Sequence, residues 1–216
     1  MGREFLEVFS EWAEAYDTFV EGNDIQYKAV FRNYEQILEE IVARSGDKVL
    51  EFGIGTGNLT QKLIDADKQV FAVEPSAQMR ERAKEKLPEG FAVYDGDMQQ
   101  YPTPNETIDT VVSSYVFHHL TDNEKRDVLK QYIQLLPKGG KVVFADTLFI
   151  SKAAYQLKIE EASNLGYAEL VDDLRREYYP LLKQVQMAFE EAGFVEVSFQ
   201  QMNEYVWIME GTKTKS

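Results

Sequence analysis

The stretch VLEFGIGTGN, residues 49 to 58, sets three glycines within five positions directly behind a short apolar run. A chain with this pattern leaves a strand through a sharp turn and enters a helix, here NLTQKL. The segments downstream fit that reading. KVLEF, QVFAVE, FAVYDGD, DTVVSSY and GKVVFAD are short runs rich in β-branched or aromatic residues. They alternate with helical stretches at 58 to 66, 76 to 87 and 122 to 136, the signature of βαβ units and a mainly parallel sheet. In such a sheet the loop leaving the first strand at its carboxyl end borders the ligand crevice.

Each glycine then has a task. Gly53 allows the sharp exit, Gly55 lets a ligand approach the backbone where a Cβ would intrude, and Gly57 allows close packing as the helix begins. The spacing is GxGxG. The dinucleotide fingerprint GxGxxG would need a third glycine where Asn58 stands, and the GK[ST] ending of a Walker A loop is missing. Acidic residues end the neighbouring strands. Glu51 precedes the turn and is suited to anchoring loop amides or facing a cationic ligand group; Glu74 closes the second strand, where a carboxylate can accept both hydroxyls of a ribose. In YDGDMQ, Asp97 can accept from an adenine amino group while a backbone N–H donates to the ring, and Met79 is placed to cover an adenine face or to fill core.

The flanks are helical. Phe5, Val8, Phe9, Trp12, Tyr16 and Phe19 recur at helical spacing, and a second helix carries Val30, Phe31, Tyr34, Ile37, Leu38 and Ile41 on one side before stopping near RSGDK. Residues 151 to 179 read as a helical insertion interrupted at Gly166. A helix follows with Pro180 in its first turn and Gly193 as its cap. FVEVSF and EYVWIME are joined only by QQMN, too short for a crossover helix, so the last two strands should be antiparallel neighbours. No linker interrupts the sequence, and residues 1 to 216 read as one domain, with 1 to 44 as an N-terminal helical cap and 151 to 179 as a lid over the substrate.

Composition narrows the partners. Lys and Arg total 23 against 37 acidic residues, a formal charge of −14, so a polyanionic nucleic acid meets net repulsion. Cysteine is absent, which removes disulfides, zinc–thiolate sites and thiol nucleophiles. With no signal-peptide core and no apolar run long enough to span a bilayer, a cytoplasmic protein without membrane attachment is expected, as a monomer or a homodimer.

Taken in order and spacing, VLEFGIGTGNLT, VFAVEPSAQM, YDGDMQQYP, IDTVVSSYVFHHL and LLPKGGKVVFAD resemble the class I S-adenosylmethionine-dependent methyltransferases over roughly residues 45 to 210. In detail the chain is similar to small bacterial methyltransferases of the kind found in Bacillus-like organisms. The resemblance implies a Rossmann-like three-layer α/β sandwich around a seven-stranded, mostly parallel sheet with an antiparallel terminal strand. It implies S-adenosyl-L-methionine as cofactor. Glu51 and the Gly53 to Gly57 loop would hold its methionine portion, Glu74 its ribose, and Asp97 with Met98 its adenine. Ser114 and Tyr115 would line the methionine side, and Tyr16 and Tyr27 belong to the region that folds over the cofactor in relatives. Many relatives have Asp where Glu74 stands. Strand four opens with Asp109 and lacks the NPPY-type motif of amino-group nucleic-acid methyltransferases, so the acceptor is expected to be a small molecule.

Methyl transfer from a sulfonium is an in-line displacement that depends on alignment and exclusion of water, with a base needed only when the acceptor must lose a proton. His118 and His119 are the only histidines, and one of them, but not both on regular backbone, is expected to face the acceptor as base or orienting group. Asp146 ends strand five on the crevice side, placed to bind an acceptor amine or hydroxyl. Two histidines without cysteine or spaced carboxylates make no argument for a metal. Two other readings use the same crevice. A noncatalytic binder of the cofactor needs nearly the same pocket, and an NAD(P)-dependent oxidoreductase shares the ribose acid but not the glycine spacing or the terminal antiparallel pair.

Overall fold

A computed structural model of the chain describes residues 19 to 214. Its frame is a seven-stranded sheet in the order β3-β2-β1-β4-β5-β7-β6. The strands are β1 (Lys48–Phe52), β2 (Gln69–Val73), β3 (Val93–Tyr94), β4 (Thr110–Ser114), β5 (Lys141–Thr147), β6 (Phe194–Gln201) and β7 (Val206–Lys213). The first five run parallel, β7 enters antiparallel beside β5, and β6 pairs antiparallel with β7 at the edge. The helices are α1 (Tyr34–Arg44), α2 (Asn58–Asp65), α3 (Ala77–Lys86), α4 (Asp122–Leu135), α5 (Lys152–Asn164), α6 (Ala168–Arg176) and α7 (Leu182–Ala192).

Strand alternation sorts the apolar side chains into two cores, one on each side of the sheet. Val49, Val112, Val143, Ala145 and Ile208 pack against Ile37, Leu38 and Ile41 of α1, Leu59 and Leu63 of α2, and Leu170 and Leu174 of α6. Their neighbours Leu50, Val111, Val142, Phe144 and Met209 face the other way, onto Val128, Leu129 and Tyr132 of α4 and Val185, Ala188 and Phe189 of α7. The result is the three-layer sandwich expected from the sequence. No helix among the described residues is long and apolar enough to cross a membrane.

Local departures from the sequence reading have local causes. Helix α1 starts at Tyr34, after Val30 and Phe31, because Asn33 adopts a left-handed conformation (φ 64°). The carbonyls of Val30 and Arg32 are bound instead by the side-chain amide of Asn203, at 2.9 and 2.8 Å. Strand β3 is two residues long, because the chain turns directly after it: the Asp97 N–H donates to the Gln100 carbonyl at 2.8 Å, and Asp97 Oδ1 accepts from the Gln99 and Gln100 N–H groups. Pro180 precedes the Leu181 cap of α7 and so lies outside the first helical turn. Its carbonyl accepts from the Phe149 N–H at 3.1 Å, in a short parallel bridge between residues 149 and 181. The last two strands turn over 202 to 205, where the Asn203 carboxamide oxygen accepts from the N–H groups of Tyr205 and Val206. Gly166, at φ 74°, separates α5 from α6, and Gly193, at φ 103°, caps α7 as expected.

Candidate active site

The carboxyl ends of β1, β2, β4 and β5 meet along one edge of the sheet, and the chemistry-bearing residues gather there. All three loop glycines have positive φ: 65° at Gly53, 56° at Gly55 and 88° at Gly57. At Gly53 close approach adds to the backbone requirement, because a Cβ there would lie 2.4 Å from a methyl of Val116. Gly57 is the N-cap of α2 and backs onto Leu87.

Glu51 and Glu74 are both buried, 1% and 4% exposed. Glu51 sits at the end of the central strand, where its Oε2 accepts from the Thr60 hydroxyl of α2 at 2.8 Å. Glu74 holds the turn: Oε2 accepts from the Gly55 N–H at 3.0 Å and Oε1 from the Ser76 N–H at 2.8 Å. A carboxylate has about four lone-pair sites, so each Glu74 oxygen keeps capacity for one further donor. Burial pushes the Glu51 carboxyl up to about 8, with Glu74 adding to the effect, although the Thr60 bond opposes it. Burial likewise pushes Glu74 up to about 7 against the two backbone bonds and Arg80. Two carboxyls buried this way, without an ion pair among the described residues, suit a ligand that brings positive charge and hydroxyl donors.

Asp97 bonds within its own loop, its Oδ1 accepting from the N–H groups of Gln99 and Gln100, each at 2.9 Å. Met98 is buried, and its carbonyl accepts from the Tyr132 hydroxyl at 2.6 Å, which fixes the loop to α4. Met79 is buried at the start of α3, its N–H donating to the Ser76 hydroxyl. Ser114 ends β4 half-buried. Beside it, the hydroxyl of the fully buried Ser113 has no hydrogen-bond partner among the described residues. Tyr115 takes φ 57°, uncommon for a non-glycine residue, and its ring joins Phe31 and Tyr34 at 5.0 and 5.9 Å.

Two sequence expectations about the N-terminal region end differently. Tyr16 lies outside the described residues. Tyr27 is buried, and its hydroxyl donates to Asp173 of α6, so the structure ties it to the 151 to 179 insertion.

The structure places the two histidines together. They sit on a single 3₁₀ turn, Phe117–His119, where successive side chains do not splay apart as on a strand. Both rings are buried, with centroids 4.0 Å apart. His118 Nδ1 lies 2.6 Å from Asp146 Oδ1, and its backbone N–H donates to Asp146 Oδ2 at 2.9 Å. Asp146 is therefore committed to His118 and to the Thr147 N–H, and serves as a holder of the imidazole. Burial pushes the His118 imidazole down, but Asp146 outweighs it and holds the ring above its ordinary value; burial pushes Asp146 up, and His118 outweighs that in turn. His119 Nδ1 lies 3.0 Å from Glu177 Oε2, and burial together with His118 pushes His119 down to about 4.

Glu177 and Tyr179 were not ranked as site residues from the sequence, yet the irregular segment after α6 brings both here. Tyr179 stacks on His118 at 4.9 Å. Lys125 fastens this corner by donating to the carbonyls of Leu120 and Tyr178. No sequence signal marks Glu177, since 58 positions separate it from His119. The sequence offers no carboxylate at ligand spacing from the histidines; the fold brings Asp146 and Glu177 to them.

Comparisons with known proteins bear on the family and the fold. Residues 49–140 match the family described as "Methyltransferase domain". An uncharacterized methyltransferase of Bacillus cytotoxicus is 54% identical over 99% of this chain and 100% of its own length. One from Geobacillus kaustophilus is 53% identical over 99% of each. Among solved structures, magnesium protoporphyrin IX methyltransferase from Synechocystis with bound SAH aligns over 96% of this chain and 99% of its own, with TM-score 0.69 and 16% identity. A SAM-dependent methyltransferase from Thermotoga maritima, a possible histamine N-methyltransferase, aligns over 97% and 100%, with TM-score 0.68 and 18% identity. At that identity the structures speak for the fold, while the relatives sharing half their residues end to end speak for the family. The chain belongs to the class I S-adenosylmethionine-dependent methyltransferases, among those of Bacillus-type bacteria.

Proposed function

We propose that the protein moves a methyl group from S-adenosylmethionine to a small-molecule acceptor held between the β4 and β5 ends and the 151 to 179 insertion. The observation that carries this reading is the pair of buried carboxyls, Glu51 and Glu74, beside a glycine turn whose Gly55 amide Glu74 holds. Glu74 takes the ribose hydroxyls on its remaining lone pairs. Asp97 and the Met98 backbone take the adenine, and Met79 backs that wall. Glu51, Gly53, Gly55, Gly57 and Ser114 surround the methionine portion. When bound, the cofactor supplies a sulfonium methyl carbon open to in-line displacement.

The chain's own part is orientation and dryness. His118 is fixed through Nδ1 by Asp146, and the stacked Tyr179 limits its tilt, so its second ring nitrogen faces the acceptor in one orientation. Phe149, Tyr155 and Tyr179 give the acceptor side an aromatic wall that excludes water. The insertion acts as a lid, with residues 1 to 44 as the facing cap. The formal charge of −14 disfavours a nucleic-acid acceptor.

Calorimetric titration of the full chain with S-adenosylmethionine, S-adenosylhomocysteine and NADH tests the cofactor reading. Saturable one-site binding of the first two and none of the third is expected, with at least tenfold weaker binding in Glu74→Ala. Equal affinity in that variant overturns the pocket assignment. Formation of S-adenosylhomocysteine with a panel of thiols, phenols and amines then tests the acceptor class.

A further inference from the structure

We infer that His118, His119 and Glu177 form a binding site for a divalent transition-metal ion of the Zn²⁺ class at the acceptor end of the crevice. The ligand-capable atoms of the three side chains lie within 4.8 Å of one another. Metal–ligand bonds of about 2.1 Å put adjacent ligands roughly 3.0 to 3.4 Å apart. The His119 to Glu177 separation of 3.0 Å already falls in that range, and side-chain rotations that close the widest separation by about 1.4 Å bring in the rest.

A second observation points the same way. His118 donates from Nδ1 to Asp146, which itself accepts from two backbone N–H groups, and Nε2 has no hydrogen bond among the described residues although the side chain is only 10% exposed. A carboxylate that fixes a histidine's far nitrogen, so that the near one presents its lone pair, is the arrangement that supports a metal-ligating imidazole. Of the nearby cations among the described residues, Arg176 pairs with Glu177 at Oε1 and not at the Oε2 that faces His119. Lys125 donates to the Leu120 and Tyr178 carbonyls, and Arg176 pairs with Asp173 at 2.5 Å while standing 3.6 Å from the outer Glu177 oxygen. Two imidazoles and one carboxylate suit borderline ions such as Zn²⁺, Co²⁺ or Ni²⁺ over Mg²⁺ or Ca²⁺, and three protein ligands leave positions open for another donor. The role of the ion, holding the acceptor's nucleophilic heteroatom, rests on the methyl-transfer reading above; the site itself stands on the three side chains.

The test uses the full chain, freed of metal by a chelator and titrated with Co²⁺, whose visible spectrum reports its ligands, with Zn²⁺ as competitor. One equivalent of Co²⁺ bound with micromolar or tighter affinity and displaced by Zn²⁺ is expected, with at least tenfold weaker binding in Glu177→Gln and His119→Asn. Asp146→Asn, which leaves all three ligands in place, should weaken binding and alter the spectrum. Circular dichroism identifies any variant that fails to fold. The absence of stoichiometric Co²⁺ binding by the wild-type chain, or affinity unchanged in both folded ligand variants, overturns the site. S-adenosylmethionine binding by the same metal-free samples is read separately, so loss of the metal site leaves the cofactor reading standing, and the reverse.

Discussion

At the scale of single residues, Glu51 separates stability from function. Its folded carboxyl is pushed up to about 8 from an ordinary 4.5, mainly by burial. Between those values the folded chain keeps a proton that the unfolded chain has released. The unfolded state therefore binds fewer protons, and stability falls as pH rises through that window. Glu74, pushed up to about 7, acts in the same direction. Glu51→Gln keeps an acceptor for the Thr60 hydroxyl and removes the titration, so the ligand-free variant should be more stable than wild type at pH 8, by up to a few kcal/mol, and nearly equal to it at pH 5. Its affinity for S-adenosylmethionine should fall at least tenfold. Urea unfolding at the two pH values and calorimetry check the two halves. A variant stabilised at pH 8 that still binds at full strength would remove Glu51 from the methionine side of the pocket.

At the scale of elements, the turn after β1 lies against the turn after β4. A Cβ at Gly53 would meet Val116, the residue just before the 3₁₀ turn that carries both histidines, and the φ of 65° disfavours any side chain. Gly53→Ala should cost about 1 to 3 kcal/mol. Adding Val116→Ala should recover the steric share but not the conformational one, measurable as a double-mutant cycle in unfolding midpoints. If the second substitution recovers nothing, the contact between the two turns is not the source of the cost. This turn was legible from sequence because all its causes are local: an apolar run, glycines at fixed spacing, an acid at each strand end. The same holds for the final hairpin, where a short link forces antiparallel strands. FAVYDGD forms less strand than its composition suggests, because Asp97 closes a turn onto Gln99 and Gln100 directly after it. The histidine corner was half legible. HH is visible at once, but Glu177 reaches His119 only through the path of α5 and α6, and the 3₁₀ turn that aims both rings inward has no local marker.

At the scale of the whole molecule, the two segments that flank the catalytic frame are joined to each other as well as to the sheet. Tyr27 precedes α1 and Asp173 lies in α6, 146 positions later, yet the tyrosine hydroxyl donates to that carboxylate, and Gln26 accepts from the Glu169 N–H at 3.0 Å. Val20, Tyr27 and Val30 share one apolar core with Leu170, Val171 and Leu174. Opening of the 151 to 179 insertion thus requires residues 20 to 33 to give way, so the two segments should move as one unit. Tyr27→Phe keeps the ring in its core and deletes the hydroxyl, leaving Asp173 with Arg176 as its remaining charged partner. Hydrogen exchange in the ligand-free variant should speed up about fivefold or more in both 20 to 33 and 168 to 176, at a cost of about 1 kcal/mol, while the strands of the sheet keep wild-type protection. Because the hydroxyl is spent on Asp173, S-adenosylmethionine affinity should stay within about threefold of wild type. Faster exchange in only one of the two segments would show that they open independently, and a large loss of affinity without faster exchange would return Tyr27 to the cofactor wall on which the sequence first placed it.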